Sequence, residues 1–236
     1  MIKFNYDKLI IIKYLSGGGG RFLCACLGLS DDAVFKQKDL AQMQLDGKLP
    51  IEKKLKYLLL STKQQSERQI WDDWGLYAFW GPKEDALTRD ADYLAENTIN
   101  IIEGMDPIVH KCITNNKFIF CTLHGNKNLI AILNYWKNSK VIIFKNEQKF
   151  ASKRILGKKN IIPHYNFEID LRLKVELAAM KLDSNKLLYE WDCDWYYSRD
   201  RTVSEIQKLY DSFGLSGFNS EVISKFYEAW INAIKL

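Results

Sequence analysis

No proline-, glycine- or serine-rich linker and no long run of one charge interrupts this 236-residue chain, so nothing divides it into separate domains. An arginine-rich arm is also missing. Basic side chains outnumber acidic ones by only 34 to 29, and both signs are spread along the sequence. That balance disfavours whole-chain nucleic-acid binding and fits a small anionic ligand, an acidic metabolite or a nucleotide. There is no C-x-x-C pair, and the five cysteines (Cys24, Cys26, Cys112, Cys121, Cys193) are odd in number, which argues against a disulfide framework and a zinc cluster. Lys3, Asp7 and Lys8 break the start, and the apolar stretch from Leu9 to Ile12 is too short for a bilayer. Neither a signal peptide nor a membrane span is expected, and the cytoplasm is the default compartment. What remains is globular composition, 47% hydrophobic and 27% charged, which excludes disorder as the general state.

The periodicity predicts a single α/β domain over 1–236, a parallel sheet flanked by helices. Residues 9–15 are rich in β-branched side chains and read as a buried strand, stopped by Ser16 and four glycines, Gly17 to Gly20. Arg21 to Leu29 then follows a helical pattern, completing the strand, loop and helix that open a βαβ unit. Cys24 and Cys26 in that helix, and Cys121 in a later apolar strand, read as buried reduced thiols.

The stretch from about 31 to 116 lacks strand periodicity and reads as a helical insertion, with helices at 51–60 and 90–103. Its aromatics Trp71, Trp74, Tyr77, Phe79 and Trp80 fit either a substrate wall or a satellite core under a loop. Alternation then returns, with strands at 118–122, 141–144 and 186–189 and helices at 128–136, 147–156 and 172–181. Thr202-Val-Ser-Glu205 reads as a capping box opening a helix that Gly214 ends, and Asn219 as the cap of the last helix.

Three groups of residues could carry chemistry. The four-glycine turn lets successive backbone N–H groups approach one anion, and the following helix adds the positive end of its dipole; glycines also serve turns for steric reasons alone. It matches neither G-x-x-x-x-G-K-[ST], since no Lys-Ser/Thr pair follows Gly20, nor G-x-G-x-x-G, since Phe22 takes the last glycine's place. Arg21 at the helix start is a supplementary cation or a solvated surface residue. His124 follows a strand and opens a turn, at the carboxyl edge where parallel sheets hold ligands, and imidazole is suited to proton transfer near neutral pH; a structural turn histidine is the plainer reading. No second ligand stands at a metal-binding spacing from it. Lys145-Asn146 ends the next strand, with Ser152, Lys153 and Arg154 beyond, a pattern that fits a second phosphate or a solvent-facing basic helix.

Taken in order, these pieces resemble the sulfotransferase family, which uses 3′-phosphoadenosine 5′-phosphosulfate and has a P-loop-like, three-layer fold. Leu15 through Leu23 stands where that family has P-K-S-G-T-T-W-L, with Phe22 at the aromatic. Thr122-Leu-His124-Gly125 is similar to T-H-L-P, with the histidine one residue later. Lys145 through Ser152 is similar to R-N-P-x-D-x-x-x-S, with the serine one residue early, and Leu187-Leu-Tyr-Glu190 is similar to L-x-Y-E-D-L. The pieces span about residues 9 to 190 without a continuous alignment. The family lysine of the first motif falls on Gly17, with Lys13 and Arg21 the nearby cations. Lys145 replaces an arginine, losing bidentate geometry, and the C-terminal R-K-G segment is absent.

The resemblance implies roles. His124 would take the acceptor's hydroxyl proton, Ser16 and Gly17 to Arg21 would hold the 5′-phosphosulfate, Phe22 would lie near the adenine, and Lys145 and Ser152 would hold the 3′-phosphate. Two other readings stay open, a non-catalytic nucleotide- or phosphate-binding protein of the same fold and a nucleotide-kinase-like phosphotransferase. An interaction module built on the 71–80 aromatics is a third. The acceptor and the oligomeric state are not legible.

Overall fold

Three consecutive isoleucines cannot alternate between core and solvent, so the strand that carries them must be covered on both faces. In the computed structural model of the chain, Ile10, Ile11 and Ile12 are all fully buried. The structure describes residues 8–14, 19–33, 42–43, 46–63, 77–78, 117–123, 140–146 and 188–234.

The isoleucines lie in β1 (Leu9–Lys13), the middle of a five-stranded sheet. The other strands are β2 (Tyr77–Ala78), β3 (Ile119–Leu123), β4 (Lys140–Lys145) and β5 (Leu188–Asp192), in the order β2-β3-β1-β4-β5. Every pairing is parallel. The protein is therefore of α/β character, with a parallel sheet and helices. The 31–116 stretch is not wholly helical: it contributes α2 (Ile51–Lys63) but also β2, which pairs with β3 at the sheet edge. A two-residue strand is too short to leave a periodicity in sequence. The expected helices at 90–103, 128–136, 147–156 and 172–181, and the aromatics at 71, 74, 79 and 80, lie outside the described residues.

Helix α1 (Gly20–Gly28) packs its apolar side chains on the Ile10, Ile12 and Tyr14 face of the sheet, together with the C-terminal helices α3 (Arg199–Phe213) and α4 (Ser220–Ile234). Its last carbonyls would be orphaned by the helix end. Leu29 N and Ser30 N meet that need at Cys26 O (3.2 Å) and Leu27 O (3.1 Å), and just past the helix the buried Lys54 of α2 donates from Nζ to Leu29 O (3.0 Å), Ser30 O (2.9 Å) and Asp31 Oδ1 (3.1 Å). Burial pulls the Lys54 ammonium below its ordinary value, and the Asp31 carboxylate opposes this. Beyond α1, Asp32 closes the chain's start onto its end by accepting from the hydroxyl and amide of Ser216, at 2.6 and 2.7 Å.

Most boundaries shift by one to three residues from the sequence expectation, and two of the differences have a visible cause. The last strand runs Leu188–Asp192 rather than ending at Tyr189, because Glu190 turns outward while Trp191 turns fully into the core. Helix α3 starts at Arg199 with Ser198 as its cap, not at the Thr202 box. Ser198 accepts from Arg201 N, whereas the buried Thr202 hydroxyl donates to Trp195 O (2.7 Å). Glu205 is not a cap partner either. It is buried and accepts from Tyr189 OH (2.9 Å) and Lys208 Nζ (2.7 Å). The other end holds as expected, with Gly214 left-handed at the C-terminus of α3 and Leu215 N bonded to Tyr210 O (2.9 Å). Asn219 caps α4 through Val222 N (3.0 Å).

Candidate functional site

Parallel pairing aligns all strand ends, and the register fixes which residues share the carboxyl edge. Lys13, the last residue of β1, stands opposite Leu123 on one side and Ile143 on the other. The glycine turn therefore leaves from between the end of β3, where His124 comes next in sequence, and the end of β4. β4 runs two residues further to Lys145, whose register partner is Asp192. Of the sequence-predicted site residues, Gly19, Gly20, Arg21, Phe22 and Lys145 are described; Ser16, Gly17, Gly18, His124 and Ser152 lie outside the described residues.

The described part of the turn is built against aromatic rings. Gly19 has a left-handed backbone, φ 83°, and a Cβ there would stand 2.8 Å from Tyr196 Cε2 and 3.3 Å from Trp230 Cζ2. At Gly20 a Cβ would collide with the ring of Tyr14. Both positions thus exclude larger residues on steric grounds, whatever the turn binds. The carbonyl of Gly19 accepts from Phe22 N (3.0 Å), Leu23 N (3.3 Å) and the buried hydroxyl of Tyr196 (3.1 Å). The first turn of α1 contains no acid, and among the described residues no side chain caps it or neutralises its positive end. Arg21, half-buried, stands in that turn.

Phe22 points the other way. Its ring is buried at 1% exposure, stacked 4.2 Å from Trp230 and 5.2 Å from Phe226 between centroids. The resemblance sets this position beside an adenine; here the ring belongs to the core that α1 and α4 share.

At the edge of β4, Lys145 forms an ion pair with Glu190 of β5, both about half-exposed. The next residue, Asn146, is left-handed (φ 56°) and donates from Nδ2 to Asp192 Oδ1 (2.9 Å). The same oxygen accepts from Asp194 N (2.9 Å), capping the 3₁₀ segment Cys193–Tyr197. Lys145 thus meets a carboxylate already, and an anion there would compete with Glu190.

Lys13 is 1% exposed, on the sheet face opposite Ile12 and Tyr14. Cys24, Cys26 and Cys193 are buried. Burial pushes Cys24 far up, against the pull of Arg21, and burial with the neighbouring Cys24 does the same for Cys26. Thiols held protonated in this way are poor nucleophiles.

Sequence reasoning missed Tyr14, Tyr196 and Asp192, which shape this edge. A signal existed: the run Trp191-Asp-Cys-Asp-Trp-Tyr-Tyr197 carries aromatics from the end of the last strand into the segment after it, where an ordinary turn would be polar. The chain matches no protein-family model and no curated protein.

Proposed function

We propose that the chain is a divergent sulfotransferase-like protein of the P-loop-like, three-layer kind, acting in the cytoplasm. It would hold 3′-phosphoadenosine 5′-phosphosulfate at the carboxyl edge of the sheet and transfer its sulfuryl group to a hydroxyl acceptor. One observation supports this above the rest. The central strand lies between β3 and β4 and runs parallel to both, so the strand ends Lys13, Leu123 and Lys145 share one edge with the start of α1 following in sequence. An edge of that kind, next to an uncapped helix start, suits a phosphate-bearing ligand.

In this reading the amides of Gly18 to Arg21, with Ser16 and Gly17, cradle the 5′-phosphosulfate. His124 takes the acceptor's hydroxyl proton as its oxygen bonds to sulfur in line. The bond from sulfur to the bridging oxygen breaks, and its electron pair leaves with the phosphate of adenosine 3′,5′-bisphosphate. Lys145 and Ser152 hold the 3′-phosphate.

A second reading, a phosphate- or nucleotide-binding protein of the same fold without transfer, is favoured by the Lys145–Glu190 ion pair and by Gly17 standing where the family lysine would be. Calorimetry with adenosine 3′,5′-bisphosphate, followed by transfer of labelled sulfate to mixed hydroxyl acceptors, separates the two. Binding with transfer supports the enzyme and binding without transfer the second reading. Absence of binding, with ATP and magnesium raising the melting temperature instead, turns the assignment toward a nucleotide-kinase-like phosphotransferase.

A further inference from the structure

Two tyrosines grip opposite ends of α1 in the same manner. Tyr210 OH donates to Cys26 O (2.8 Å) near the last turn, and Tyr196 OH donates to Gly19 O (3.1 Å) at the first. Both bonds are buried, and each links α1 to the C-terminal part of the chain, 184 and 177 residues away. Only the second touches the glycine turn.

We propose that Tyr196 is a positioning residue for anion binding, holding the Gly19 peptide so that the amides of Gly20 and Arg21 face the ligand; this rests on the anion-binding reading given above. Gly19 has the left-handed backbone at which the chain swings from turn into helix, so rotation there would redirect every N–H of the first turn. Its carbonyl is fixed by the hydroxyl of Tyr196, and a Cβ at Gly19 would stand 2.8 Å from the same ring, so the two residues are closely apposed. Tyr196 is braced in turn. Its own carbonyl accepts from Tyr227 OH (2.7 Å), and its ring meets those of Phe22, Trp191 and Trp230. A glycine alone would leave the turn mobile, at an ordering cost to each anion bound. A turn pinned before binding avoids that cost.

The matched tyrosines supply the control. Tyr196→Phe and Tyr210→Phe each delete one buried hydroxyl-to-carbonyl bond of α1 and keep the ring, so their unfolding midpoints should fall by similar amounts. Calorimetry well below both midpoints, with adenosine 3′,5′-bisphosphate and separately with inorganic phosphate, should find binding about 3- to 10-fold weaker in Tyr196→Phe. Tyr210→Phe should bind as the wild type does. Amide hydrogen exchange of the ligand-free proteins should be faster at 20–23 in Tyr196→Phe alone. Equal affinity in Tyr196→Phe and wild type overturns the proposal, as does equal weakening in both variants or unchanged exchange at 20–23. Wild-type protein that binds neither ligand instead overturns the anion-binding reading on which the proposal stands.

Discussion

Phe22 and Trp230 stack with ring centroids 4.2 Å apart and planes 18° from parallel, joining the start of α1 to the last helix of the chain. Phe22→Leu should therefore act as a core substitution. It should lower stability by about 1–2 kcal/mol and leave adenosine 3′,5′-bisphosphate affinity unchanged. Trp230→Ala, which empties the other half of the stack, should cost about 3–5 kcal/mol. Urea unfolding beside calorimetry checks both. Affinity that falls while the unfolding midpoint stays put would return Phe22 to the ligand.

His124 carries the chemical step of the proposed transfer, so its removal should separate chemistry from binding. His124→Ala is expected to reduce turnover by about 10²- to 10⁴-fold while the bisphosphate binds nearly as before. Sulfate-transfer rates and calorimetry on the same preparation measure the two effects. Unaltered turnover removes His124 from the mechanism.

The ion pair at the end of β4 gives a pair of opposite expectations. If Lys145 holds a phosphate, Glu190→Gln releases the ammonium from its competitor and should tighten bisphosphate binding severalfold, whereas Lys145→Ala should weaken it. The pair is half-exposed, so each change should move stability by less than about 1 kcal/mol. Salt titration of the binding constant is a further check, since added salt should weaken the wild-type contact. Identical affinities in all three proteins would exclude Lys145 from the site.

Asp32 makes the stability depend on pH in a definite direction. Burial alone would raise its carboxyl, but the two bonds from Ser216, with Lys117 and Lys8 nearby, outweigh burial and hold it below the ordinary aspartate value. A depressed folded pKa means that the unfolded chain takes up the proton first. The contribution is complete above the unfolded aspartate value of about 3.9 and disappears as pH falls through the lower folded value. Asp32→Asn should cost about 1 kcal/mol at pH 7, a hydrogen-bond magnitude discounted for partial exposure, with the difference from wild type shrinking below about pH 4. Urea unfolding at stepped pH reads this. A gap that stays constant down to pH 2 would show that the carboxylate charge has no part in the clasp.

Much of the architecture was written in local pattern. Three β-branched residues in succession specify a strand buried on both faces, and the glycine run must end it. The left-handed stop at Gly214 and the Asn219 cap needed only their own neighbours, because each is a bond within five residues of the chain. The cap of α3 differs from the sequence expectation because two serine/threonine starts lie four residues apart, and local rules favour Thr202, which has Glu205 three residues on where Ser198 has Arg201. The choice fell to Trp195, whose carbonyl takes the Thr202 hydroxyl and so draws that residue inside the helix.

What the amino-acid order could not state is which distant groups share an edge. The partnership of Gly19 with Tyr196, of Lys145 with Glu190 and of Asp32 with Ser216 arises when segments far apart in sequence are laid side by side, and no periodicity encodes it. The sequence determined strands, stops and an anion-compatible turn because these are properties of neighbouring residues and their backbone freedom. The tertiary structure alone decided that Phe22 enters the core, that Gly19 and Gly20 are required by the rings of Tyr14, Tyr196 and Trp230, and that Lys145 meets a carboxylate. Packing and charge pairing act through space, and only the folded chain sets those distances.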